Sequence, residues 1–80
     1  MQKVKFYTKL NCKLCDQAHL MLMEIAYDVP LEIDIIDITH SHNRLETDYS
    51  ERIPVIAAEG ADTELDWPFT LEELKAYLAQ

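Results

Sequence analysis

A strand-like run, a helix-forming run and a second strand-like run open this chain with almost no linker between them, and that succession constrains the fold more than any other feature. Val4 to Thr8 is rich in β-branched and aromatic residues and reads as a strand. After a polar break at Lys9-Leu10-Asn11, good helix formers run from about Cys12 to Tyr27 with no glycine or proline inside. Ala18, Met21, Leu22 and Ile25 recur at three- and four-residue spacing and define one apolar face. Met21 and Met23 could offer a soft binding surface, but ordinary packing is the simpler reading of both. Asp28-Val29-Pro30 ends the helix. Leu31 to Ile38 nearly alternates isoleucine with carboxylates and reads as a second strand, suited to a sheet edge. Such a unit pairs its strands in parallel through a right-handed crossover.

The remainder completes a small sheet. Residues 40 to 50 are polar and are expected to form a short helix. Ile53 to Ala58 reads as a third strand, turned at Glu59-Gly60 into a weak fourth near Thr63-Leu65, which makes an antiparallel hairpin. Thr70-Leu71-Glu72-Glu73 is a capping-box pattern, and Phe69 can pack on Leu74 as a hydrophobic staple for a helix running through Leu78. The expected order is β-α-β-α-β-β-α: an α/β chain with a mixed four-stranded sheet flanked by helices. Eighty residues suffice for one domain, 1–80, and leave no room for a second.

Charge narrows the function. The formal net charge of −8 disfavours nonspecific binding to nucleic acid or to an anionic membrane surface. Residues 1–13 hold four lysines (Lys3, Lys5, Lys9, Lys13) and no acid, whereas the rest sets three bases (Arg44, Arg52, Lys75) against all fifteen carboxylates. Met1 to Phe6 alternates like a strand and lacks the apolar run of a signal peptide, and no apolar stretch is long enough to span a bilayer. The expected location is cytoplasmic, where a cysteine pair is seldom a structural staple.

Cys12-Lys13-Leu14-Cys15 sits where the first strand hands over to the first helix. C-x-x-C alone is a weak signal; at a β-to-α junction it is much stronger. The thiolate is the nucleophile, and a free cysteine has a pKa of about 8.5. At a helix start, unpaired backbone N–H groups and the positive end of the helix dipole favour the thiolate, and Lys9 and Lys13 add positive potential. Cys12 is therefore expected to be exposed with a lowered pKa. Cys15, one helical turn on, shares the face of Ala18 and Leu22 and is expected to be buried yet within reach of a mixed disulfide at Cys12. A rival arrangement joins both cysteines to His40 and His42 in a zinc site, but histidines two apart depart from the usual H-x3–5-H ligand spacing. His19 reads as a surface or packed histidine rather than a general base.

Tyr7 to Cys15 resembles the strand-to-active-site segment of the glutaredoxin family and its thioredoxin-fold relatives, and Arg52-Ile53-Pro54-Val55 resembles the cis-proline segment of that family. The similarity spans the chain and is strongest to small bacterial glutaredoxin-like domains with a C-x-L-C-D active site, here Cys12 to Asp16. The resemblance implies a thioredoxin-like fold, Cys12 as the attacking thiol, Cys15 as the resolving thiol and a cis Ile53-Pro54 bond beside them. Pro54 offers no N–H, and Ile53 can present its backbone to an extended substrate, so Lys9, Ile53 and Pro54 are the candidate substrate-binding residues. The chain departs from the family in having Lys13-Leu14 where Pro-Tyr is common. It also has Gly60 alone, followed by Ala61-Asp62-Thr63, where a Gly-Gly turn and acidic residues are common. Trp67-Pro68-Phe69 partly resembles the tryptophan segment of glutaredoxin-like proteins reduced by thioredoxin reductase. Trp67 reads equally as a core aromatic or a partner contact.

The expected function is thiol–disulfide oxidoreduction by a dithiol mechanism without metal or organic cofactor. Its substrate would be a disulfide-containing protein or a low-molecular-weight thiol compound, with glutathione or thioredoxin reductase as electron donor. The alternative is a non-catalytic redox-sensing, zinc-binding or protein-interaction module of the same fold.

Overall fold

The computed structural model describes residues 2–39, 49 and 52–79. The helix expected over residues 40 to 50 lies outside the described residues apart from Tyr49, which is helical. Among the described residues the elements are β1 (Gln2–Thr8), α1 (Lys13–Asp28), β2 (Leu31–Asp37), β3 (Val55–Ala58), β4 (Leu65–Asp66) and α2 (Leu71–Leu78).

The strands form one mixed sheet in the order β2-β1-β3-β4. β1 pairs in parallel with β2, from Gln2 beside Leu31 to Thr8 beside Asp37. It pairs antiparallel with β3, from Val4 beside Ala58 to Tyr7 beside Val55. This is the crossover-plus-hairpin topology the sequence dictates, with the carboxylate-bearing β2 at an edge. Side chains alternate across β1. Val4 and Phe6 are buried on one face, and Lys3 and Lys5 are exposed on the other.

α1 lies over the Phe6 face, where the His19 ring stacks on Phe6 with centroids 5.8 Å apart. Its core stripe is Cys15, Ala18, Leu22 and Ile25. Leu22 has no exposed surface, and enclosing such a side chain contributes about 1.5–3 kcal/mol. Met21 packs against this core as expected. Met23 does not: one position past Leu22 it turns toward solvent and is 52% exposed. α2 carries the full capping box, with the Thr70 hydroxyl accepting the Glu73 N–H (3.1 Å) and the Glu73 carboxylate accepting the Thr70 N–H (3.0 Å).

The β3–β4 hairpin is shorter and later than its sequence suggests. Pairing is confined to Val55 beside Asp66 and Ile56 beside Leu65, so Thr63 is outside the strand. The reason is Tyr77 of α2. Its hydroxyl accepts the Ala58 N–H (3.0 Å) and donates to the Thr63 carbonyl (2.6 Å), occupying the place where a direct Ala58–Thr63 ladder pair would form. Gly60 takes φ 85° in the turn, a conformation that glycine adopts without steric cost.

Candidate active site

The C-terminal end of β1 delivers the cysteine segment to one end of the sheet. Asn11 adopts φ 60°, a left-handed conformation that asparagine tolerates better than most residues, and reverses the chain between the strand and the helix. Cys12 then takes an extended conformation (φ −102°, ψ 102°) as the N-cap of α1. Its Sγ accepts the Cys15 N–H at 3.1 Å, the role a serine or aspartate oxygen usually plays at this position. In the reduced protein, a thiolate at this position would meet the same N–H and the positive end of the helix dipole.

Cys12 and Cys15 are joined as a disulfide, with their Cα atoms 5.2 Å apart. Cys15 is 2% exposed, as its place on the Ala18–Leu22 stripe requires. Cys12 is half-buried rather than fully exposed, because it also packs against the core. Lys9 and Lys13 are exposed, and neither makes an ion pair among the described residues.

The second wall comes from the segment entering β3. Because Val55 pairs with Tyr7, Ile53 and Pro54 arrive at the same end of the sheet as Cys12. Both are buried, and the Ile53-Pro54 peptide is cis. The Trp67-Pro68 peptide is also cis, which nothing in the sequence signalled. The Ile53 and Arg52 N–H groups both donate to the Tyr49 carbonyl, at 3.0 and 2.9 Å. The regular strand starts only at Val55, and the Ile53 N–H is already taken within the chain. The Pro54 carbonyl accepts the Trp67 N–H at 3.1 Å.

Side chains brace this wall further. The Tyr49 ring stacks on Tyr7 (centroids 4.4 Å), and the Arg52 guanidinium sits 4.8 Å from the Tyr49 ring centre. Arg52 grips Asp66 through two hydrogen bonds (3.0 and 2.9 Å) and reaches Glu64 at 2.7 Å. The Tyr49 hydroxyl donates to the other Glu64 oxygen at 2.5 Å. Burial, followed by that hydrogen bond to Glu64, pushes the Tyr49 phenol well above its usual pKa. The hydrogen bonds to Asp66 and Glu64 raise that of Arg52.

The remaining sequence candidates fall elsewhere. His19 is engaged with Phe6, in keeping with a packed histidine. Trp67 is part-buried and packs T-shaped with Phe69 (centroids 5.0 Å apart), a core contact. Asp62 is exposed in the turn after Gly60. His40 and His42 lie outside the described residues, among which no group of three histidine, cysteine or acidic side chains converges on a common point. A groove of about 690 Å³ runs over the exposed face of β1 and β2 between Lys3, Lys5, Glu32 and Asp34, but neither cysteine lines it. It is an open sheet face without a nucleophile.

The chain belongs to the glutaredoxin-like domain family (DUF836), whose profile matches residues 3–79. Among solved structures it is similar to the Northeast Structural Genomics target protein XcR50 from X. campestris, with TM-score 0.79 and 33% identity over 95% of each chain. Protein Ne2328 from Nitrosomonas europaea superposes with TM-score 0.75 and 26% identity, over 95% of this chain and 89% of that one. Thioredoxin O2 from Arabidopsis thaliana, in an oxidized state, gives TM-score 0.71 at 16% identity over 99% of this chain and 73% of that one, a likeness of fold alone. No functionally curated protein matches the sequence. The fold is thioredoxin-like, and the cysteine pair is its disulfide centre.

Proposed function

We propose, from that membership and the geometry of the cysteine pair, that the protein is a thiol–disulfide oxidoreductase working through Cys12 and Cys15. The observation that carries the reading is the placement of the half-buried Cys12 sulfur at the N-cap of α1, holding the Cys15 N–H and bonded to a buried Cys15 one turn on. In the reduced protein the Cys12 thiolate attacks a substrate disulfide. One substrate sulfur joins Cys12 and the other leaves as a thiolate that takes a proton from solvent. Cys15 then gives its proton to solvent and attacks Cys12 Sγ, closing the Cys12–Cys15 disulfide and releasing the second substrate thiolate, which takes a proton from solvent. Two electrons have passed to the substrate. A thiol donor, glutathione or the dithiol of a reductase, returns them by the reverse exchange.

Lys9 and Lys13 supply positive potential around the attacking sulfur, and Pro54 with the Ile53 carbonyl forms the wall against which an extended substrate lies. No step needs a metal or an organic cofactor. The test is an equilibrium titration in glutathione redox buffers, quenched by alkylation and read by mass. The expected result is a reversible two-electron couple within roughly −180 to −270 mV. If no intramolecular disulfide forms at any poise, the dithiol mechanism is wrong.

A further inference from the structure

Around Cys12 the chain turns apolar side chains outward. Leu10 is 80% exposed at the turn before the helix, and Leu14, in the first turn of α1, is 44% exposed. Single exposed leucines need no explanation, but two of them, each two residues from Cys12 along the chain, put apolar surface on both sides of the nucleophile. The left-handed Asn11 fixes this arrangement, because it turns the chain between Leu10 and Cys12. Lys9 and Lys13 alternate with the leucines and make no described ion pair, so the patch is apolar with a cationic margin. Among the described residues the opposing charges at this end are Asp16, exposed in the first turn of α1, and Asp37 at the end of β2, which accepts the Thr39 N–H and hydroxyl. They reduce the positive potential, which leaves the leucines as the stronger determinant.

Resting on the oxidoreductase reading, we infer that Leu10 and Leu14, with Lys9 and Lys13, form a docking rim for protein disulfides whose reactive cysteine is flanked by an apolar and an acidic residue. Glutathione presents carboxylates to the lysines but has no side chain for the leucines, so it uses only the weaker half of the rim. A protein segment uses both: it covers the leucines and places its carboxylate beside the lysines.

The test is single-turnover oxidation of the pre-reduced protein by four disulfides: bis(2-hydroxyethyl) disulfide, oxidised glutathione, and two synthetic peptide disulfides. The peptides carry Leu and Asp beside the cysteine in one case and Ser and Lys in the other. The Leu/Asp peptide should react at least about tenfold faster than its Ser/Lys counterpart and than oxidised glutathione. High salt should remove only part of that preference. Leu10→Ser should lower the peptide ratio by up to about tenfold, and Lys13→Glu by a smaller, salt-sensitive factor. Using ratios cancels any change in the reactivity of Cys12 itself. Both positions are exposed, so neither variant threatens the fold. Equal rates for the two peptides, or a ratio unmoved by both substitutions, would overturn the docking rim while the oxidoreductase reading stands. If even bis(2-hydroxyethyl) disulfide fails to oxidise the reduced protein, that reading falls and the rim with it.

Discussion

The two walls of the site are built on opposite plans. On the cysteine side, Lys9, Leu10, Lys13 and Leu14 are all exposed, and the local ties are the Cys12–Cys15 disulfide and the Cys15 N–H donated to Cys12 Sγ. On the proline side, Ile53 and Pro54 are buried, with Tyr49, Arg52, Glu64, Asp66 and Trp67 bonded around them. On the proposed oxidoreductase reading, disulfide exchange explains the contrast. One sulfur must accept a foreign sulfur and release it again, which requires an accessible side with few competing contacts. The attack also requires the incoming disulfide to be aligned, which requires a surface that does not yield. On that reading the open side supplies reactivity and the braced side supplies geometry.

The sharpest way to break this division is to remove the sulfurs separately. Cys12→Ser should abolish disulfide reduction, a loss of three orders of magnitude or more on the scale on which a missing nucleophile acts. Cys15→Ser should keep the first attack and accumulate a mixed disulfide at Cys12, detectable as an added mass that dithiothreitol removes. If the two variants behave alike, the half-buried and the buried cysteine do not have the different roles their placement gives them.

Tyr77→Phe tests whether bracing anywhere in the sheet matters or only bracing at the site. Tyr77 is 5% exposed, and its hydroxyl joins Ala58 and Thr63 at the end of the hairpin away from the cysteines. Losing it should cost about 1 kcal/mol, since the donor and acceptor it strands are only part-buried, seen as a lower denaturation midpoint at unchanged slope. Reaction with bis(2-hydroxyethyl) disulfide should stay at the wild-type rate. Arg52→Gln should show the reverse pattern. Arg52 and Asp66 are more than one-third exposed and Glu64 nearly so, and solvent screening limits the stability loss to about 1 kcal/mol. The peptide reaction should nevertheless slow several-fold through KM, because the segment leading to Ile53 and Pro54 has lost its brace. If Tyr77→Phe slowed the chemistry as much as Arg52→Gln, the rigidity would belong to the whole sheet.

The same contrast explains what the sequence revealed. The open side is local: a strand, a break, C-x-x-C and a helix within thirty residues, each readable from neighbours along the chain. The α2 capping box is local as well. The braced side joins residues twelve to fifteen apart, such as Arg52 to Glu64 and Asp66, and Tyr49 to Glu64, while Ala58 to Tyr77 at the far end of the hairpin spans nineteen. No periodicity marks such pairs, because they are consequences of which strands become neighbours. Arg52 was visible only as the residue before Ile53-Pro54, and nothing marked Tyr77 as the side chain that shortens β4. Met23 was misread for a related reason: helical spacing identifies a stripe, but its width depends on what lies opposite.

The smallest effect concerns pH, and it isolates the brace from the chemistry. The Tyr49 phenol has a raised pKa in the folded protein, from burial and then from its hydrogen bond to Glu64, against an ordinary value near 10 when unfolded. Above pH 10 the unfolded chain therefore releases this proton while the folded chain retains it. The unfolded state then binds fewer protons, so stability is complete below pH 10 and declines as pH rises beyond it, by up to about 1.4 kcal/mol per pH unit from this group. Spectrophotometric titration of the oxidised protein at 295 nm should show a phenol that ionises late, and Tyr49→Phe should remove that step and flatten the alkaline fall in the denaturation midpoint. The remaining tyrosines and the lysines are common to both proteins, so the difference belongs to Tyr49. If the late step persists in Tyr49→Phe, the Tyr49–Glu64 contact does not hold the proton, and the proline wall rests on Arg52 and the backbone alone.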